Sequence, residues 1–453
     1  MYRTDTIVAC ASAPGAGAVA VLRISGPDAR AILDGVFESS RAGDLRPWRL
    51  RHGWIREPKE GDRVDEVLVA LMPGPNSYTG EDCAEIHCHG SPPVIEAVTA
   101  IVIGLGARPA DPGEFTRRAV LNGKMDLVQA EAVADLVDAR VEAGARAAWA
   151  QLQGALSNDL AEIRGHVLSV LADVEANVDF SDEELPEENV SARLSVLDSA
   201  AAGIDGLLSG FPAARRRREG WRVVFCGLPN AGKSSLINAL LGQGRMIVSD
   251  EPGTTRDTVE ETVDLNGTAF VLTDTAGIRE TQSRAEIAAI QRARDTVAEA
   301  DIVVEVVDRG DATNHESIGL DAPHRLLVLN KVDLPSRLSA TQQQRVASED
   351  RTVLEVSAVR GDGLDDLVEA LKTIAHSDDG HPAAVSGRVR HRKALERARA
   401  ALAGARVLVE RGAEPELASL ELREVAAELA AITHPLDNEE VLDIIFRDFC
   451  IGK

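Results

Sequence analysis

The stretch Gly227-Leu228-Pro229-Asn230-Ala231-Gly232-Lys233-Ser234 decides the fold class. It fits G-x-x-x-x-G-K-S/T, with the apolar run Val223-Val224-Phe225 before it and a helix-forming run, Ser235 to Leu241, after it. Strand, glycine-rich loop and helix are the setting this motif needs. The glycines let the backbone curl so that its N–H groups face phosphate oxygens, and the helix N-terminus adds a favourable dipole. In such a loop Lys233 reaches the β and γ phosphates and Ser234 holds Mg²⁺, with Asn230, Ala231, Gly232 and Ser235 completing the lining.

Further along, Val271-Leu272-Thr273 reads as a strand ending at Asp274-Thr275-Ala276-Gly277. An Asp at a strand end can bind Mg²⁺ through water, and the Gly277 N–H can meet the γ phosphate. Leu326 to Leu329 leads into Asn330-Lys331-Val332-Asp333. Asp333 can accept both the N1 and N2 protons of guanine, which adenine cannot supply. Lys331 can lie over the base, Asn330 can brace the loop, and at Ser357-Ala358 a backbone N–H can meet guanine O6. The loop Ser249-Asp250-Glu251-Pro252-Gly253-Thr254-Thr255 belongs to the same predicted site, with Thr255 completing the Mg²⁺ shell; an ordinary Gly-Thr turn is its alternative. The order of these signals along one alternating sheet predicts GTP rather than ATP.

Outward from this site, β runs alternate with helical stretches from Trp221 to about Ile374, which predicts a mostly parallel α/β sheet. Ala-, Leu- and Glu-rich helical segments lie on both sides, Leu127 to Val178 and Ser191 to Leu208 before it and Arg388 to Ile432 after it, the last broken near Gly412 and Pro415. The first ~120 residues mix short strands with a helix over Pro92 to Leu105. The expected architecture is an α/β multidomain protein. It has a mixed α+β N-terminal domain (1–119), an all-helical domain in two halves (120–214 and 383–453) and an inserted P-loop GTPase domain (215–382).

With 453 residues, 49 Lys+Arg against 73 Asp+Glu and a net charge of −24, the chain is no generic sheath for nucleic acid. No membrane span and no signal peptide is read, and the five scattered cysteines predict a reducing, cytoplasmic setting. Cys83, His87, Cys88 and His89 invite a metal reading, but a strand with mixed faces is preferred because no second ligand cluster follows. Arg215 to Arg218, together with Arg388, Arg390, Arg392 and Lys393, flank the inserted domain and are candidate docking points for RNA or a partner, or simply solvated runs.

Several strings carry a family resemblance. They are Asp5-Thr6-Ile7-Val8-Ala9, Leu22-Arg23-Ile24-Ser25-Gly26, Pro73-Gly74-Pro75-Asn76-Ser77 with Thr79-Gly80-Glu81-Asp82, and Pro112-Gly113-Glu114-Phe115. Asp126-Leu127 with Gln129-Ala130-Glu131-Ala132, the GTPase motifs and the terminal Phe449-Cys450-Ile451-Gly452-Lys453 complete the set. On these the chain resembles the MnmE (TrmE) family of tRNA-modification GTPases essentially end to end. The resemblance implies a homodimer that forms a heterotetramer with an FAD-containing MnmG partner. Together they add an aminomethyl-type group (carboxymethylaminomethyl) to C5 of the wobble uridine of certain tRNAs. The implied one-carbon donor is 5-formyltetrahydrofolate or a related tetrahydrofolate. It also implies folate contacts at Arg23, Glu85, Lys124 and Lys453, and a functional location for Cys450 near the folate.

K⁺ in place of an arginine finger is implied at Asn230, Ser249, Thr254 and the backbone carbonyl of Glu251. Water positioning is implied at Glu286, because Ile278 stands where many small GTPases carry Gln. Three departures from the family pattern stand out: Ala285-Glu286-Ile287-Ala288-Ala289-Ile290, which lacks the usual Ile-Gly pair, Ser249 in place of threonine, and Gly15-Ala16-Gly17 in place of Gly-Arg-Gly. The rival readings are an RNA-binding ribosome-assembly GTPase and a purely regulatory GTPase switch.

Overall fold

The computed structural model describes residues 4–41, 43, 45–58, 61–179, 190–247, 260–274, 300–310, 322–337, 352–377, 387–434, 439–447 and 449–452. The elements begin with β1 (Ile7–Cys10), β2 (Val19–Ser25), α1 (Ala29–Val36), β3 (Phe37–Ser39), β4 (Arg51–Arg56), β5 (Arg63–Met72), β6 (Cys83–His89), α2 (Pro92–Gly104), β7 (Arg108–Pro109) and α3 (Glu114–Leu121). Then come α4 (Leu127–Asp138), α5 (Glu142–Leu152), α6 (Ala155–Asp179) and α7 (Val190–Glu219). They continue with β8 (Trp221–Cys226), α8 (Lys233–Gln243), β9 (Arg245–Ile247), β10 (Glu260–Leu265), β11 (Thr268–Asp274), β12 (Ile302–Asp308), β13 (His324–Asn330), β14 (Thr352–Val356) and α9 (Leu364–Ser377). The last are α10 (Val389–Glu410), α11 (Pro415–Thr433) and α12 (Glu439–Arg447). The chain divides into two compact units, Met1–Ala134 with Leu152–Ala200 and Arg397–Lys453, and Asp135–Gln151 with Ala201–Glu396.

In the first unit a seven-stranded sheet runs β3-β4-β5-β6-β2-β1-β7, antiparallel except for the β1–β7 pair. Its strands alternate because one face is packed and the other is partly solvated. Leu22, Ile24, Val69, Leu71 and Ile86 point to the packed face, where Ile32, Leu33, Val98 and Val102 of α1 and α2 cover them. Each such side chain contributes about 1.5–3 kcal/mol by burial. Elsewhere in this unit α6 packs along α11. Leu442, Phe446 and Phe449 of the C-terminal segment pack on Val120, Leu127 and Ala130.

The open end of this sheet is tied by a buried ion network. Arg118 is only 2% exposed, and its guanidinium lies 2.8 Å from Asp5, 2.9 Å from Glu114 and 3.1 Å from Glu81. Arg108 bridges the same acids, 2.7 Å from Asp5 and 2.6 Å from Glu114. Burial alone would raise the pKa of Glu114. Hydrogen bonds from Arg108, the Asp111 N–H and Arg118 outweigh it, so the carboxyl sits below its ordinary value. The balance at Asp5 has the same sign: burial raises, Arg108 and Arg118 lower more.

Depressed folded-state values mean that this contribution is present above the ordinary carboxylate range and is lost as pH falls through the folded values. Arg118→Met strips the shared cation from Glu114 and Glu81, both largely buried, and is expected to cost about 3–5 kcal/mol. It should also move the acid-unfolding midpoint to higher pH. Urea denaturation and a pH titration by circular dichroism measure both, and an unchanged urea midpoint would contradict the assignment.

In the second unit the sheet runs β14-β13-β12-β8-β11-β10-β9, with β14 through β11 parallel and the β10 and β9 pairings antiparallel. The central strands read as continuous apolar runs, as strands covered on both faces must. Leu236, Ile237 and Leu240 of α8 and Leu364, Leu367 and Leu371 of α9 join the core of one face, and Val224, Cys226, Ala300 and Val303 cluster separately.

The helix expected over Ser191 to Leu208 extends through Pro212 to Glu219. It ends at Gly220, whose φ of 95° suits a left-handed stop and whose N–H bonds the Arg216 carbonyl at 2.8 Å. The extension survives the proline because its last turn is held from outside. Arg215 and Arg216 reach Asp301 at 2.5 and 3.4 Å, while the other Asp301 oxygen accepts the Arg222 N–H at 2.9 Å. Arg388 and Arg218 converge on Asp135 at 2.6 and 4.0 Å. These junction arginines therefore serve packing within the unit.

Candidate functional site

The phosphate loop leaves β8 through Gly227, whose φ is 143° and where a Cβ would lie 2.2 Å from the Val306 carbonyl oxygen. Only glycine lets the chain pass that close to β12. Asn230 and Gly232 follow with φ of 65° and 94°, and α8 starts at Lys233. Lys233 folds back across the loop, its Nζ donating to the Gly227 and Leu228 carbonyls at 3.0 and 3.1 Å. Burial pulls its ammonium below the usual lysine range. The Ser234 hydroxyl donates to Asp274 Oδ2 at 2.5 Å, so a hydroxyl and a carboxylate distant in sequence meet beside the loop. Two hard oxygen donors at a phosphate loop fit Mg²⁺. Ser235 is exposed on the first turn of α8.

The base-reading loops are joined to the phosphate loop by two side chains, Asn330 and Lys331. Asn330, 1% exposed, donates from Nδ2 to the Ala231 carbonyl at 2.9 Å and accepts the Ala358 N–H at Oδ1, 3.1 Å. Lys331, at φ 63°, donates to the Asn230 carbonyl at 2.8 Å and to Asp308 at 2.6 Å. Asp333 accepts the Ser357 hydroxyl at 2.6 Å, and that bond holds its carboxyl below the ordinary value. Asp333 is thus an ionised, acceptor-only group, as readout of guanine N1–H and N2–H requires.

Asp308 was not among the expected residues. It ends β12, pairs Lys331 and caps the Gly310 N–H at 2.7 Å; an acid closing the apolar run Ile302–Asp308 was its one sequence signal. Ser249, Asp250, Glu251, Pro252, Gly253, Thr254, Thr255, Thr275, Ala276, Gly277, Glu286 and Lys453 lie outside the described residues.

In the first unit, Arg23 and Glu85 face each other across β2 and β6, with guanidinium–carboxylate bonds of 3.0 and 3.1 Å. The Arg23 guanidinium lies 5.1 Å from the Tyr78 ring and 5.8 Å from the Phe115 ring. A carboxylate beside a guanidinium with aromatic neighbours suits a flat heterocycle that has adjacent N–H donors and a carbonyl, as a pterin does. Lys124 stands on a different loop and donates to the Pro75 carbonyl at 2.9 Å.

The C-terminal segment is seated against β1. A Cβ at Gly452 would lie 2.2 Å from the Cys10 carbonyl oxygen, and the Cys450 carbonyl accepts the Gly113 N–H at 3.4 Å. Cys10 ends a strand in which Ala9 pairs with Arg23, so exposed Cys450 comes to the same region of the sheet as the Arg23–Glu85 pair. Along β6, Cys88 faces the packed side while His87 turns to Glu85 at 3.5 Å, the mixed faces expected of that strand. Among the described residues no helix is long and apolar enough to cross a membrane.

Known proteins match this arrangement over the whole chain. A family model described as the GTP-binding protein TrmE N-terminus matches residues 6–124, and one described as the MnmE helical domain matches residues 127–450. The protein named tRNA modification GTPase MnmE of Heliobacterium modesticaldum is 38% identical over 463 residues, covering 99% of each chain. Those of the same name from Moorella thermoacetica and Geobacter sulfurreducens are each 40% identical, with 99% and 100% of both chains covered. Phosphate loop, guanine-reading loops and N-terminal sheet thus occur together in a chain that matches these relatives from end to end, and it belongs to the MnmE family of tRNA modification GTPases.

Proposed function

We propose that this protein is a K⁺-dependent, cytoplasmic GTPase of tRNA wobble-uridine modification. It acts as a homodimer with an FAD-containing MnmG-type flavoprotein, placing an aminomethyl-type group on uridine C5 from a tetrahydrofolate one-carbon donor. The observation that carries the reading is one chain holding both a guanine-nucleotide site joined through Asn330 and an Arg23–Glu85 pair beside the C-terminal segment. In this reading residues 1–119 bind folate and dimerise, 120–214 and 383–453 form the helical domain, and 215–382 hydrolyse GTP.

Lys233 binds the β and γ phosphates, and the Asp333 carboxylate reads guanine, on a loop that Asn330 braces by accepting the Ala358 N–H. Glu286 orients the attacking water, because Ile278 cannot. Ser234 and Thr255, with Asp274 behind them, would hold Mg²⁺; Asn230, Ser249, Thr254 and the Glu251 carbonyl would hold K⁺. Both ions, when bound, offset the charge that develops on the phosphates. At the second site Glu85 would hold the N–H edge of a pterin and Arg23 its carbonyl. Lys124 and Lys453 would hold the acidic tail, and Cys450 would serve near the one-carbon unit.

One experiment tests both halves: GTP turnover in KCl against NaCl, and retention of labelled 5-formyltetrahydrofolate, in the wild type and in Arg23→Ala. Turnover is expected to be about tenfold or more faster in K⁺. Arg23→Ala should lose at least about tenfold in folate affinity with its K⁺-stimulated turnover intact. Equal rates in the two salts would remove the cation site, and a wild type that retains no folate would leave a regulatory GTPase switch.

A further inference from the structure

Phosphate affinity in an acidic protein must come from a local basic surface, and the two junction runs largely do not supply one, since most of their arginines are engaged with Asp301, Asp135 and other acids of the same unit. A different segment does. Arg41, Arg46, Arg49, Arg51 and Arg56 fall within residues 41–56, which contain a single acidic residue, Asp44. Arg41, Arg46 and Arg49 are exposed and, among the described residues, form no ion pair. Between them Trp48 is 60% exposed and Leu50 58% exposed.

Trp48 has φ of 60°, an unfavourable backbone state for a bulky side chain, held by its N–H donating to the Leu71 carbonyl at 2.9 Å. The indole gains little burial in return for that conformation. Strain that packing does not explain, under an exposed aromatic ring flanked by exposed cations, suits a ligand with flat faces and negative charge.

Position narrows the ligand further. Leu71 follows Ala70, which pairs with Glu85, which pairs with Arg23. Three strand spacings therefore separate Trp48 from Arg23 along the sheet, about 15 Å.

We propose that Arg46, Trp48 and Arg49 form an RNA-contact surface, in which the Trp48 ring stacks on an unpaired base while the two arginines hold the adjoining phosphates. The surface would bring tRNA to the same sheet that carries the Arg23–Glu85 site; this rests on the tRNA-modification reading above. Stacking sets sequence-tolerant affinity, and the arginines set its salt dependence.

The test titrates an unmodified tRNA transcript against the full chain by fluorescence anisotropy at several KCl concentrations. The double variant Arg46→Glu with Arg49→Glu should bind at least about tenfold more weakly and flatten the slope of log K against log salt by about 1.5–2. Trp48→Asn keeps a residue that tolerates the left-handed backbone, so folding is preserved while the ring is lost. It should weaken binding about fivefold or more with an unchanged slope, and Trp48→Phe should restore most of it. GTP turnover should stay at the wild-type value in all three.

Unchanged affinity and slope would overturn the proposal. So would variants that bind tRNA normally but lose self-association or flavoprotein binding, which would make the surface a protein contact. A wild type that binds no tRNA at low salt would overturn the tRNA reading itself, an outcome distinct from a wild type and variants that bind alike.

Discussion

Lys233→Ala is expected to lower GTP turnover by about two to three orders of magnitude, because it removes one preorganised charge from the phosphates in the transition state. The structure shows how it is held. The Lys233 ammonium is drawn across the loop by the Gly227 and Leu228 carbonyls, and its side chain is buried. Burial lowers its pKa, which marks a charge that anionic phosphate would stabilise rather than one already satisfied by water. Single-turnover hydrolysis of radiolabelled GTP measures the effect. Retention of more than about a tenth of wild-type turnover would show that Lys233 does not face the γ phosphate.

Asp333→Asn should weaken GTP binding by about two to three orders of magnitude and raise affinity for xanthosine triphosphate. The carboxylate accepts from both the N1–H and N2–H of guanine. The amide presents a donor to a donor, and a base with a carbonyl at that edge restores the match. Ser357 already holds the carboxylate in place through a 2.6 Å hydrogen bond and keeps it ionised. The substitution should therefore change base preference without loosening the loop. Fluorescent-nucleotide titrations of both triphosphates check it, and unchanged GTP affinity would refute the base-readout assignment.

The nucleotide site was legible along the chain because its chemistry uses contiguous strings. Glycines at 227 and 232 are needed where the backbone turns left-handed, and a Lys-Ser pair must follow directly at the helix start. Likewise the switch from alternating apolar positions in the first unit to continuous apolar strands in the second records which sheet is covered on both faces. The Arg23–Glu85 pair carried no such local mark. Only the family resemblance points to it, and the pairing of β2 with β6 brings the two side chains together.

Other features had no string to announce them. Asn330 bridges to Ala231, Asp308 anchors Lys331, and Arg118 gathers acids from three separate segments; each depends on which strands and loops become neighbours. The arginine run at 215–218 reads as solvated or RNA-facing charge until Asp301 is placed beside it. A charged side chain's role depends on what lies within a few ångströms of it, and local sequence does not encode that neighbour. Residue types and their order along the chain therefore sufficed for the GTPase and its sheet, whose requirements are local and periodic. Which charges are engaged in packing, which face solvent, and where the C-terminal segment rests were settled by folding, because those are contacts between segments far apart in sequence.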